Sequence, residues 1–167
     1  MKSLVALITL VFSLNSFSMI IGKVDIQRVL LSVSQGKKVR DQLKAEFEKK
    51  KKVLDKEQQK IKKMQEDFQK QSLVMSDSAK VEKEKQLQEA VMKLQQKSLG
   101  FQKEIQEMEN KMKGPIIDRV REVVTTVSKK SKVDVTFEAS TAPVVYAKNE
   151  KDLTDDVIKA YDKKFPN

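Results

Sequence analysis

Neither cysteine nor histidine occurs anywhere in this chain, and tryptophan is missing too. Their absence excludes disulfides, thiol nucleophiles, histidine-based acid–base catalysis and the usual zinc sites. Glycine is scarce. Its four positions (Gly22, Gly36, Gly100, Gly114) never produce the GxxxxGK(S/T) spacing, so there is no phosphate-cradling loop and no visible ATP site. Aromatic residues are only 5% of the 167, which argues against a large globular core. Carboxylates abound, yet nearly all alternate with Lys on helical faces, where solvated surface is the simple reading. The expectation is a non-enzyme with no catalytic residue, no cofactor and no metal.

What remains is a helix-forming chain. From Lys37 to Lys113 it is Lys, Glu, Gln, Asp and Ala threaded by a thin apolar seam, interrupted only at Met75-Ser76-Asp77-Ser78. Charged residues reach 35%, and on a helical period this composition signals long or coiled-coil helices. Disorder is the competing reading for so polar a chain; the regular seam argues against it. Lys37 to Val74 and Ala79 to Lys113 predict a helical hairpin whose arms each extend roughly 50–57 Å. In the first arm Phe47, Leu54, Ile61, Phe68 and Met75 recur every seven residues, but the companion positions Lys50, Glu57 and Gln71 are polar. The second arm is cleaner. Leu87, Val91, Leu94, Ser98, Phe101, Ile105, Met108 and Met112 alternate spacings of 4 and 3, the period of a left-handed supercoil. So interrupted a seam fits an arm that bends and splays better than a rigid rod.

At the N-terminus, Lys2 precedes an apolar run, Leu4 to Leu14, and Ser16-Phe17-Ser18 places small residues before Met19. Residues 1–18 therefore read as a secretory signal peptide. A retained membrane anchor is the weaker alternative, because a span of about 20 residues would have to absorb Ser13, Asn15, Ser16 and Ser18. A buried N-terminal element is weaker still. Lys2 is the only charge in this segment, so its removal takes the net charge from +10 to +9. For an exported chain the anionic surfaces on offer are lipid headgroups, glycolipids and acidic proteins, and not nucleic acid.

The two ends differ from the arms. Ile20 to Ile26 is rich in branched residues and reads as a strand, followed by a short helix over Gln27 to Val33, with Gly36 closing this segment. Gly114-Pro115 breaks the seam, and helix resumes from Pro115 through Val127. Lys132 to Glu138 alternates strictly and predicts a strand with Val133, Val135 and Phe137 on one face. Ala139 to Pro143 turns the chain, and Val144 to Ala147 returns as a second strand. Thr154 is the expected N-cap of a last helix, with Asp155 and Asp156 in its first turn. The divisions are a body segment at 19–36, an arm at 37–113 with its tip near 75–78, and a second body segment at 114–167. The fold class is α+β, a long helical hairpin projecting from a small β-rich body. Roughly 70 residues of body are marginal alone, so oligomerisation through Val24, Ile26, Val133, Val135, Phe137, Val145 and Tyr146 is expected.

These pieces in this order resemble the Skp/OmpH-like periplasmic chaperones over about residues 20–165. The resemblance lies in VDIQRVL and SQGKKVRDQLKAEFEKK, in PIIDRVREVV and VDVTFEAS, and in VVYAKNEKDLTDDVIKAYDKKF. One departure is the turn in EASTAPVVYA, which lacks the Gly often seen before the second strand. The resemblance implies a periplasmic homotrimer of "jellyfish" shape, whose hairpins surround a cavity that holds unfolded outer-membrane proteins without ATP. Two sets of arm residues are candidate client contacts. Met64, Phe68 and Met75 offer adaptable apolar surface toward the tip. Lys49, Lys50, Lys51 and Lys52 lie in a stretch, Lys37 to Lys63, holding twelve Lys/Arg against five Asp/Glu. Such charge would attract acidic clients, and anionic lipid or glycolipid surface as well. The rival from another class is an exported coiled-coil spacer with no clients.

Overall fold

A computed structural model describes residues 19–166; the signal-peptide reading falls on residues outside that range. The element order is β1 (Ile21–Val24), α1 (Ile26–Ser32), α2 (Ser34–Gln71), α3 (Asp77–Lys130), β2 (Val135–Glu138), β3 (Glu150–Asp152) and α4 (Thr154–Lys164). The fold is α+β as expected: a hairpin of two long helices joined to a small body of sheet and short helices.

The body is built around β1. It is the central strand of a three-stranded sheet, with β2 and β3 parallel to it on either side. Parallel strands need long crossovers, and the whole hairpin is the crossover from β1 to β2. The core gathers Val24, Val29, Leu30 and Val33 from the N-terminal segment, Ile116, Val120, Val123 and Val127 from the end of α3, and Leu153, Val157 and Tyr161 around α4.

Four expectations need correcting. Gly114-Pro115 does not break the helix: α3 runs through both residues to Lys130. An interior proline costs about 3 kcal/mol, and the burial of Ile116, Val120, Val123 and Val127 on its C-terminal side offsets that cost. The 113/114 boundary therefore lies inside one helix. Gly36 does not close the N-terminal segment either. It sits in the first turn of α2, where a Cβ would lie 1.7 Å from the Leu30 carbonyl oxygen. Val144 to Ala147 forms no strand, and no β-hairpin follows the turn; the third strand is Glu150–Asp152, paired to β1. Finally, Thr154 is not the N-cap of α4. Leu153 holds that position, the Asp152 carboxylate accepts the Thr154 N–H at 2.9 Å, and the buried Thr154 hydroxyl accepts the Asp25 N–H at 3.1 Å.

The root of the arm is clamped from several sides. Val33 is both the end of α1 and the N-cap of α2, and its side chain offers no capping bond. Asp162 of α4 substitutes, accepting the Ser34 N–H at 2.9 Å. The Gln35 side-chain oxygen accepts from the Tyr161 hydroxyl at 2.8 Å and from Arg119 of α3 at 2.9 Å. Burial pushes the Tyr161 hydroxyl above its ordinary pKa, keeping it a donor. Body and arm root thus share one packed joint.

Candidate functional site

The arm itself is held much more loosely. Between Lys37 and Lys113 no residue is buried; the facing positions are at best half-buried. Leu43, Leu54, Ile61, Met64 and Phe68 of α2 face Leu87, Leu94, Ser98, Phe101, Ile105 and Met108 of α3 at this level. Val91, expected in the seam, is exposed, and Ala90 takes its place. Phe47, expected in the other stripe, is also exposed. Two of the three polar companions in the first stripe have partners across the arm. Lys50 pairs with Glu104 and lies over the Phe101 ring at 4.3 Å, and Glu57 meets Lys97 at 3.6 Å. Such pairs are worth about 0–1 kcal/mol each in water, far less than a buried apolar layer.

The lysine run is therefore not uniform. Lys50 turns inward and its side chain is only 17% exposed. Lys49 bonds Glu46 at 2.5 Å and holds that carboxyl below its ordinary pKa. Lys51 and Lys52 point to solvent with no ion pair to either arm. Of the apolar candidates, Met64 and Phe68 lie half-buried in the seam and Met75 lies in the turn at the tip.

The most exposed apolar residues of the arm escaped the sequence reading. Helix α2 ends at Gln71, not at Val74, so Leu73 and Val74 fall in the turn, where they are 91% and 87% exposed. A usable signal was present: Leu73-Val74-Met75 is three apolar residues in a row, and a narrow helical seam cannot cover all three. The tip is also not basic. From Met64 to Glu84 there are three Lys against five Asp/Glu, so the excess positive charge lies toward the body.

A groove of about 590 Å³ opens between α2 and α3 at mid-arm, lined by Phe47, Leu54, Leu94, Phe101 and Ile105 with Lys50 and Lys51 on its α2 side. Ser98 contributes to its wall. That residue occupies a seam position where a large apolar side chain would fill the space. On the body, Val24 is buried in the chain's own core, while Ile26, Val133 and Phe137 are half-buried. Val135 is exposed, and Val145 and Tyr146 project almost fully at 99% and 83%. Among the described residues no acidic cluster could hold a metal ion, and no helix is long and apolar enough to cross a membrane.

Comparison with known proteins places this architecture. The family described as outer membrane protein (OmpH-like) matches residues 20–161, strand β1 through most of α4. The chain belongs to the OmpH-like family. A protein of Aquifex aeolicus (strain VF5), with no function assigned to it, is 26% identical over 163 residues and 98% of each chain. Among solved structures, a proposed outer membrane chaperone (OmpH-like) from Caulobacter crescentus CB15 matches with a TM-score of 0.69. The identity is 20%, over 89% of this chain and 85% of that one. At that identity the likeness concerns the fold: the OmpH-like hairpin and body are common to both.

Proposed function

We propose that this protein is an ATP-independent periplasmic holdase that captures unfolded outer-membrane β-barrel proteins between its helical arms. The observation that carries the reading is the OmpH-like match over residues 20–161 to a chain whose arm leaves its apolar residues unburied. The chaperone role ascribed to the Caulobacter protein supports it.

Mechanistically, a holdase needs many weak contacts and no deep specificity. Half-buried Met64, Phe68 and Met75, with Leu73 and Val74 at the tip, offer adaptable apolar patches. Lys51 and Lys52 add a positive field that raises encounter rates with acidic clients. The same field would draw the arms toward anionic lipid or glycolipid. No bond is made or broken, so neither catalytic group nor cofactor is required.

The working form is a homotrimer. Its subunits join through the body where Val135, Val145 and Tyr146 lie exposed, and three arms enclose the client. Export by the N-terminal segment places it in the periplasm.

The test is aggregation of a denatured β-barrel protein diluted from urea, followed by light scattering, with the mass of the purified protein measured in parallel. A trimer that suppresses scattering at a few copies per client is the expected result. A monomer, or a trimer without effect on aggregation, would leave the coiled-coil spacer as the better account.

A further inference from the structure

Both walls of the mid-arm groove belong to one hairpin, so the groove is formed by a single chain. We propose that it is a subsite for the apolar face of an extended acidic segment, taking two side chains from alternate positions. This rests on the chaperone reading above and specifies which client segments the arm prefers.

Dimensions support this occupant. Phe47 and Leu54, on the α2 wall, are seven residues apart, about 10 Å along the helix. Side chains on one face of an extended strand recur about every 7 Å, so the groove spans two of them. Outward along α2 the neighbouring recess is walled by Asp55, Gln58, Gln59, Lys62 and Gln65 around a single Ile61, and the smaller one formed by Ile61, Met64, Ala90 and Leu94 is ringed by Glu57, Lys60, Lys93 and Lys97. A helix docking along the arm would meet that polar stretch after about two turns, and short helices are marginal in water before binding. An unfolded chain needs no such preorganisation. Strands destined for an outer-membrane barrel alternate apolar and polar residues, the pattern a two-side-chain slot selects.

Charge sets the direction. Lys50 is neutralised by Glu104, so Lys51 is the unpaired cation of the groove. Asp55 lies one helical turn further out on the same wall. An acidic residue of the segment is favoured beside Lys51, between Phe47 and Leu54 on the α2 wall, and disfavoured at the outer end beside Asp55.

The experiment uses fluorescent ten-residue peptides and the full-length mature protein. One peptide alternates Leu with polar residues, one of them an Asp between two Leu; a second has the same composition with its Leu residues adjacent; a third is a helical amphipathic peptide. The alternating peptide should bind about tenfold tighter than the other two. Ser98→Leu, which fills the groove from a position where Leu suits the seam, should erase that preference. Lys51→Glu, at an exposed position, should weaken the alternating peptide several-fold at low salt only. Equal affinity for all three peptides, tighter binding of the helical one, or an intact preference in both variants overturns the proposal. Aggregation of a whole client is scored beside it. Suppression without peptide preference sinks the groove alone, and peptide preference without suppression sinks the holdase reading.

Discussion

Body and arm are made from one chain under opposite rules. The body buries eleven apolar side chains around a three-stranded sheet, and fastens its joint with hydrogen bonds among Ser34, Gln35, Arg119, Tyr161 and Asp162. The arm, though it holds most of the helical residues, buries none between Lys37 and Lys113. The difference lies in what side chains meet. In the body each core residue is covered by several elements. In a two-helix arm each has one neighbouring helix on one side and water on the other. Hydrophobic stabilisation follows the area removed from water, so the arm keeps its helices by propensity and the body supplies the fold's stability.

The largest test of that contrast is Tyr161→Ala. It removes a fully buried ring and leaves Gln35 with one donor fewer, so thermal or urea unfolding should show a loss of about 3–5 kcal/mol. Next is Gly36→Ala. The added Cβ would collide with the Leu30 carbonyl, which is backbone and cannot swing aside. A loss of about 3 kcal/mol is expected, whereas Gly100→Ala in the arm, with nothing near its Cβ, should stabilise by roughly 0.5–1 kcal/mol. If both glycines tolerate alanine equally, the joint is not as tight as described.

Reversing Lys51 and Lys52 to Glu should leave the melting curve nearly unchanged and weaken binding of an acidic client about tenfold at low salt. Reversal at Lys49, already paired to Glu46, should do less. Binding by fluorescence anisotropy at two salt concentrations would decide it.

Glu138 gives a pH test inside the body. Its carboxylate accepts hydrogen bonds from Ser140, Thr141 and Ile26, which hold its pKa down to about 2 from an ordinary 4.5. A depressed folded pKa means the stabilising contribution is complete above about pH 4.5 and fades as pH falls through about 2. The melting-point gap between wild type and Glu138→Gln should therefore be present at about pH 6 and close near pH 2. A gap that does not change with pH would show that the charge is not what matters there. The smallest effect belongs to the arm. Leu54→Ala should cost about 1 kcal/mol or less, because part of that side chain stays in water when folded.

How much of this was legible in the sequence follows the same division. The hairpin, β1, α1, β2 and α4 were readable because local signals announce them: the seven-residue seam, branched runs, and Asp155-Asp156 at a helix start. Strand β3 was not readable. Glu150-Lys151-Asp152 has no apolar signature, and its strand form comes from β1, through backbone bonds from Ile21 to Asn149 and from Leu153 to Lys23 and an ion pair between Lys23 and Glu150 at 2.6 Å. Val144-Val145-Tyr146 shows the reverse: strong strand formers with no strand beside them among the described residues. At Pro115 a strong local signal lost to packing that continues on the body side. In the arm, heptad spacing located the seam but not its hole at Ser98, and the tip residues Leu73 and Val74 were assigned to a helix that ends before them.

Hydrogen exchange on the full-length protein, with and without a denatured β-barrel client, tests the central contrast most directly. Slow exchange is expected at β1 and at the body end of α3 around Val120 and Val123, with exchange orders of magnitude faster from Leu43 to Met108 and client-induced protection confined to the arm. Equal protection of arm and body in the free protein, or client protection appearing on the body alone, would contradict that contrast.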